Sequence, residues 1–391
     1  MGPVVAVGLR SGAVEAAGRL GCPLVAVVEA PPGPRTAARL ADVVVADFDP
    51  GPAQADRQWR AVADRLAPLR PEAVVALTER AVLPAARLRA ALGLPGQTVE
   101  SAALCSDKRA MKRAARAAGL RTADVVEAED GLGADALVER LGLPLVVKAA
   151  IGSGGRGTRV VHDRAGVPER LPPGWMAESF VDGVEMSVET VAAGGRALLV
   201  NPTQYLVPAW SSLAPAPLGG DQHEAVVAHA EAARQALGAV SGVTHLETFL
   251  TDDGPVFGEM AARPPGGHLM RLMSLAYGAD LWEVALRVAV GDVPDLPPRA
   301  GQAAAVRILH PGPGVVRAVE GVDRARSLPG VDGVSVRVRP GDRLGPREGT
   351  GQEAGHVIAV GATPDQARER LAAAVAEVRI EVEPADATGR A

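Results

Sequence analysis

Residues 1 to about 100 alternate short apolar runs with stretches of helical character. VVAVGL is followed by GAVEAAGRLG, PLVAVVEA and TAARLADVVVADF, and AVADRLAPLRPEAVVALTE then spells helix, turn and strand. Strands that alternate with helices pair in parallel and need cover on both faces, so this part is expected to be a small α/β sheet. The opening MGPVVAVGLR has a short apolar stretch without a basic flank, which suits a first core strand better than a signal peptide. Gly8-Leu9-Arg10-Ser11-Gly12 lacks the three-glycine spacing of a dinucleotide site and reads as a plain strand-to-helix turn.

At 391 residues the chain is long enough for two or three domains. Hydrophobic residues make up 47%, enough for a large core, which rules out general disorder. A net charge of −5 and 3% aromatics leave neither a basic face nor stacking platforms, so no nucleic-acid partner is expected. No apolar run approaches the roughly 18 residues of a membrane helix, so no membrane partner is expected either. The two cysteines, Cys22 and Cys105, fit a reducing compartment, and the expectation is a cytoplasmic protein, with a homodimer as the default assembly. Beyond Pro294, Pro297 and Pro298, short β-like runs (AAAVRIL, GVSVRV, AGHVIAVGA) and the helical PDQARERLAAAVAEV suggest an α+β cap. The expected class is therefore α/β and α+β multidomain, divided 1–103, 104–300 and 301–391.

Lysine occurs only at 108, 112 and 148, while every other basic side chain is arginine. Where arginine serves everywhere else, a lysine marks a place that wants a compact ammonium. Lys148 closes the strand-like Leu145-Val146-Val147, where an ammonium must find an anion or lose its charge. Lys108 opens the helix SDKRAMKRAARAAGL, which Ser106 or Asp107 caps; Lys112, one turn along, is expected on the solvated face. Gly152-Ser153-Gly154-Gly155-Arg156-Gly157 spells G-x-G-x-x-G but runs into TRVVHD, a strand rather than a helix, which excludes a dinucleotide fingerprint. Thr158 stands where a Walker loop needs lysine. What remains is a glycine-rich hairpin lid whose backbone N–H groups cover phosphates.

Thr251-Asp252-Asp253-Gly254 is a turn signal. Centred on Asp253, it sets Phe249 opposite Phe257 and Glu247 opposite Glu259. Like charges so placed repel, and two carboxylates with substrate phosphates are a common way to hold Mg²⁺. Arg263, four residues on, suits clamping a phosphoryl group, and Pro264-Pro265-Gly266-Gly267 forms a loop over the site. His268 and His245 are expected to be solvated and structural, respectively. Asn201, Tyr205, Trp210 and Ser212 are equally pocket residues or loop anchors.

Taken in order, SDKRAMK, VVKAAIGSGGRG, ESFVDGVEMSVE and HLETFLTDDGPVFGEMAARPPGG resemble the ATP-grasp superfamily, especially its L-amino-acid ligases, over roughly residues 100–295. The resemblance implies an ATP-grasp fold of two lobes within 104–300, with the lid at 152–157, a Rossmann-like N-terminal domain and a C-terminal cap. It implies that Lys108, Lys148, Ser153, Gly154 and Gly155 meet the phosphates of ATP, Glu178 and Val181 hold adenine, and Glu185 holds ribose. Glu247 and Glu259 would bind Mg²⁺, with Mn²⁺ as an alternative, and Lys148 and Arg263 would serve catalysis. The implied activity joins a small-molecule carboxylate to an amine through an acyl phosphate, releasing ADP and phosphate. Ala261 departs from the asparagine many members carry there; some purine-pathway members that activate bicarbonate share the alanine, which keeps that reading as the alternative.

Overall fold

The structure, a computed structural model, describes residues 1–384 except Ser153, Arg156, Glu348 and Thr350. Strands β1 (Val4–Val7), β2 (Leu24–Val28), β3 (Asp42–Val45) and β4 (Ala73–Ala76) form a parallel sheet of order β3-β2-β1-β4. Every residue of β1 and β2 is buried, as two-sided cover requires. The chain leaves β1 toward β2 but reaches β4 on the other side, so a crevice opens beyond the carboxyl ends of β1 and β4.

A second sheet, antiparallel, contains β5 (Val125–Glu127), β6 (Leu145–Ala149), β7 (Arg159–Val161) and β8 (Trp175–Ser179) in the order β5-β8-β6-β7. The glycine-rich loop joins β6 to β7, strand to strand as expected. The central sheet is built on β9 (Val184–Ala193), β10 (Arg196–Val207), β11 (Ser211–Ala214), β12 (Gly242–Thr251) and β13 (Gly254–Ala261). From the last third of the chain come β14 (Ala303–Leu309), β15 (Gly314–Glu320), β16 (Val331–Val336), β17 (Arg343–Leu344), β18 (Gly355–Gly361) and β19 (Arg379–Glu383). The central order is β13-β12-β9-β10-β11-β14-β18-β16, so β11–β14 pairing carries one sheet across residue 300. A small sheet β17-β15-β19 lies beside it.

Alternation along β12 and β13 decides which side chains reach the site. Leu246 and Met260 point into the main core with Met111, Ala115 and Phe257; Glu247 and Glu259 point the other way. That core also holds Val5, Val7, Val25 and Val74 of the first sheet, so the N-terminal sheet and the β12–β13 hairpin share one apolar interior. The helix Lys108–Ala117 packs on β13, adds Met111 and Ala115 to this core, and is capped by Asp107, whose carboxylate accepts from the Arg109 N–H at 2.9 Å. Among the described residues no helix is long and apolar enough to cross a membrane.

Candidate active site

The β12–β13 hairpin sets the geometry. Thr251 pairs with Gly254 across a two-residue turn, half a residue away from a centre at Asp253. Phe257 therefore faces Thr248 and Phe249 faces Val256, which corrects the expected Phe249–Phe257 pair. The register then shifts between Glu247 and Thr248, and Gly258 is the extra residue of this bulge. A Cβ on Gly258 would lie 2.6 Å from the Glu247 carbonyl oxygen, so only glycine lets the strands approach there. The bulge brings Glu247 and Glu259 back into opposition, as their charge pattern demanded. β9 adds Ser187 opposite Glu247, which places Glu185, two residues earlier, on the same face. The next row is Ala261, His245, Glu189 and Asn201.

Charge regulation follows from this crowding. Burial and the nearby Glu247 raise the Glu259 carboxyl above its usual range. Glu247 is held below it, because the His245 ring and nearby cations outweigh burial. His245 bridges Glu189 (Nδ1–Oε1 2.8 Å) and Glu247 (Nε2–Oε1 3.7 Å); against the opposing effect of burial, these carboxylates lift it to about 9. Glu189 is fully buried and accepts from Thr203 Oγ1 at 2.6 Å and, more weakly, from Asn201 at 3.4 Å, so His245 is an oriented structural cation behind Glu247. Burial, with Glu247 and Glu259, pushes Glu185 up to about 7.

All three lysines converge here. Lys108 Nζ lies 3.3 Å from Glu259 and donates to the Gly152 carbonyl at 2.8 Å, linking the hairpin to the glycine loop. Lys148 Nζ sits 2.9 Å from Glu178. Burial works against its charge, but Glu178, Glu259 and Glu247 raise its pKa nonetheless. The solvated position expected for Lys112 is overturned, since this residue is only 3% exposed. The helix turns Met111, Lys112 and Ala115 inward, and Lys112 reaches Glu178 at 3.4 Å and donates to the Phe257 carbonyl at 3.1 Å. Burial lowers it to about 8 despite Glu178. Glu178, itself buried, is kept ionised by the two lysines.

Arg263 follows β13, donates to Glu79 at 2.7 Å and to the Pro264 carbonyl at 3.0 Å, and so ties the hairpin to the loop after β4. His268 adopts a left-handed conformation (φ 65°), stacks on His356 at 3.9 Å and faces Glu353 at 3.7 Å. Far from being merely solvated, it lines the site. One cleft of about 1250 Å³ is lined by Lys108, Lys148, Gly154, Gly155, Glu178, Val181, Glu185, Glu247, Glu259 and Arg263. The structure thus brings together every described residue that the sequence nominated for the site, and Ser153 lies outside the described residues. Tyr205, Trp210 and Ser212 line it too, whereas Asn201 is spent on Glu189 and Thr203. The sequence reading missed Arg10, Glu79, Lys112 and Glu353. Only Lys112 carried a signal, as one of three lysines in an arginine-rich chain.

Residues 113–270 match the ATP-grasp domain. The chain therefore carries an ATP-grasp domain over these residues. Residues 307–383 match the L-amino acid ligase C-terminal domain 2. An L-arginine-specific L-amino acid ligase of Bacillus subtilis is 29% identical over 57% of this chain and 59% of its own length. An uncharacterised protein, y4rH, of Sinorhizobium fredii is 30% identical over 74% of this chain and 64% of its own. The chain therefore spans about three fifths of the length of these curated relatives. The crystal structure of an L-amino acid ligase from Bacillus licheniformis superposes with a TM-score of 0.82 at 22% identity, covering 98% of this chain and 99% of that one, so the fold is shared.

Proposed function

We propose that this chain is an ATP-dependent carboxylate–amine ligase that joins amino acids, with domains at 1–103, 104–300 and 301–391. The observation that carries the reading is the opposed Glu247–Glu259 pair, which shares a single cleft with Lys108, Lys148 and Arg263. A carboxylate oxygen attacks the γ-phosphorus, the bond to ADP breaks, and an acyl phosphate forms. The amine nitrogen then attacks the acyl carbon, a C–N bond forms, phosphate leaves, and the ammonium protons pass to solvent. Lys108, Lys148 and Arg263 meet the charge that spreads over the transferring oxygens. Glu178, Val181 and Glu185 hold the nucleoside end, and the glycine loop keeps water from the acyl phosphate.

The two glutamates suit a hard divalent cation, Mg²⁺ or Mn²⁺, because their repulsion already raises Glu259. Among the described residues no group of three His, Cys, Asp or Glu is gathered for a metal, so phosphate and water oxygens would complete the shell. When bound, the cation supplies neutralisation of phosphate charge. Both cysteines are free and buried, in keeping with a cytoplasmic setting.

The test is phosphate release from MgATP across single L-amino acids and their pairs, with bicarbonate as a separate arm. Release that needs a carboxylate and an amine, with the amide detected by mass spectrometry, is the expected result. Release with bicarbonate alone would move the protein to the bicarbonate-activating branch.

A further inference from the structure

Joining two amino acids places two carboxylates in one cleft: one is activated, and the other stays free on the amine donor. The second needs a cation of its own. Most arginines lining the cleft are already neutralised: Arg19, Arg80, Arg263, Arg271 and Arg337 each sit against a carboxylate. Arg347 lies over the Trp210 ring at 4.4 Å and donates to the Ala209 carbonyl. Arg10, like Arg347, has no ion pair among the described residues, but it stands at the end of the parallel sheet rather than over an aromatic ring. Its Nε donates to the Leu77 carbonyl at 3.1 Å, and among the described residues it has no carboxylate at ion-pair distance. It is partly buried and lines the cleft.

Its position in the fold points the same way. Arg10 follows β1 and Glu79 follows β4, the two strands between which the order of the parallel sheet reverses. In open α/β sheets this crevice is where ligands bind. The two loops are pressed together there: a Cβ on Gly8 (φ 77°) would lie 2.6 Å from Thr78 Oγ1. The contact to Leu77 O holds the guanidinium at the crevice mouth, on the N-terminal wall. Lys108 and Lys148, the cations suited to phosphates, come from other elements, the helix Lys108–Ala117 and β6.

We propose that Arg10 binds the unreacted α-carboxylate of the amine-donating amino acid, and so selects amino acids over simple amines as the second substrate. The inference rests on the ligase reading above. Burial and the neighbouring Arg263 both disfavour the Arg10 charge, and Glu353 offsets this only in part. An arriving carboxylate relieves that conflict with a charge-assisted, two-pronged hydrogen bond.

The experiment compares the twenty L-amino acids with their L-amino-acid amides as amine donors, measuring amide formation by wild type, Arg10→Gln and Arg10→Lys. Gln keeps a donor for Leu77 O, and Lys keeps the charge. The acid-over-amide ratio of kcat/KM is expected to fall by about tenfold or more in Arg10→Gln and to recover in part in Arg10→Lys. An unchanged ratio, or equal losses with acids and amides, overturns the role of Arg10 while leaving the ligase reading standing. No product from any wild-type combination overturns both.

Discussion

Lys112 and Glu259 illustrate how burial turns ordinary side chains into a charge-regulated site. Lys112, Glu178 and Lys148 form a buried row of alternating charge, in which Glu178 is neutralised from both sides. Removing one member of such a set leaves the others short of a partner. Lys112→Met should therefore destabilise the protein by about 3 kcal/mol in urea unfolding, although the substitution is more apolar than lysine. A loss below about 1 kcal/mol would mean the row is solvated. Glu259→Gln should lower metal-dependent turnover by about a hundredfold or more, and retained turnover would refute the paired-carboxylate argument.

Glu185 offers a test by pH. Its carboxyl is raised from the ordinary 4.5 to about 7, so the folded chain holds a proton that the unfolded chain has lost across that window. Wherever the folded state binds more protons, stability falls as pH rises. In metal-free, nucleotide-free protein, the Tm advantage of Glu185→Gln over wild type should grow between about pH 5 and pH 7. A constant difference would show that Glu185 titrates normally.

At the scale of elements, the hairpin shows what the sequence could disclose. Like charges near a turn signal were enough to nominate Glu247 and Glu259 as neighbours, because opposed carboxylates need a reason to be there. The route to that pairing was hidden. The turn is half a residue off the expected centre, and Gly258 restores the register by bulging. A glycine within a strand looks the same whether it bulges or merely weakens the strand. Gly258→Ala should cost about 2 kcal/mol or more and reduce turnover along with stability, since a Cβ meets the Glu247 carbonyl. Stability falling with turnover intact would show that the bulge does not aim the glutamates.

The helix Lys108–Ala117 was legible in extent and capping, but its buried face was misjudged. Its alanines made the apolar stripe look broader than it is, and the long stem of Lys112 lets an ammonium cross the core to reach Glu178. The 12-residue strand β10 went unread, as did the continuity of the central sheet across residue 300. Strand partners distant in sequence leave little trace in a single chain.

For the whole molecule, one cleft draws on every part of the chain. Arg10 and Glu79 come from the N-terminal sheet, Lys148 and the glycine loop from β6 onward, the glutamates from the hairpin, and Glu353 from the last third. The shared core fixes the N-terminal sheet against the hairpin, and the Arg263–Glu79 pair closes that junction. Arg263→Ala should therefore abolish phosphoryl transfer while ATP binding stays measurable by calorimetry. Equal turnover would remove Arg263 from the reaction. Lys108, Lys148, the Glu247–Glu259 pair and the glycine loop were legible because each breaks a local pattern: lysine among arginines, carboxylates face to face, glycines between strands; Glu178, Val181 and Glu185 were nominated only through the family resemblance. Arg10 and Glu79 break none, and only the fold makes them neighbours of the site.

An acyl phosphate made from a carboxylate and ATP is the step on which the proposed ligation depends. Its most direct test uses an amino-acid mixture labelled with ¹⁸O in the carboxylates, MgATP and wild-type protein, with mass spectrometry of the phosphate released. One ¹⁸O atom in each phosphate is the predicted result, because the attacking carboxylate oxygen leaves with phosphorus. Unlabelled phosphate, or label appearing in AMP, would contradict it.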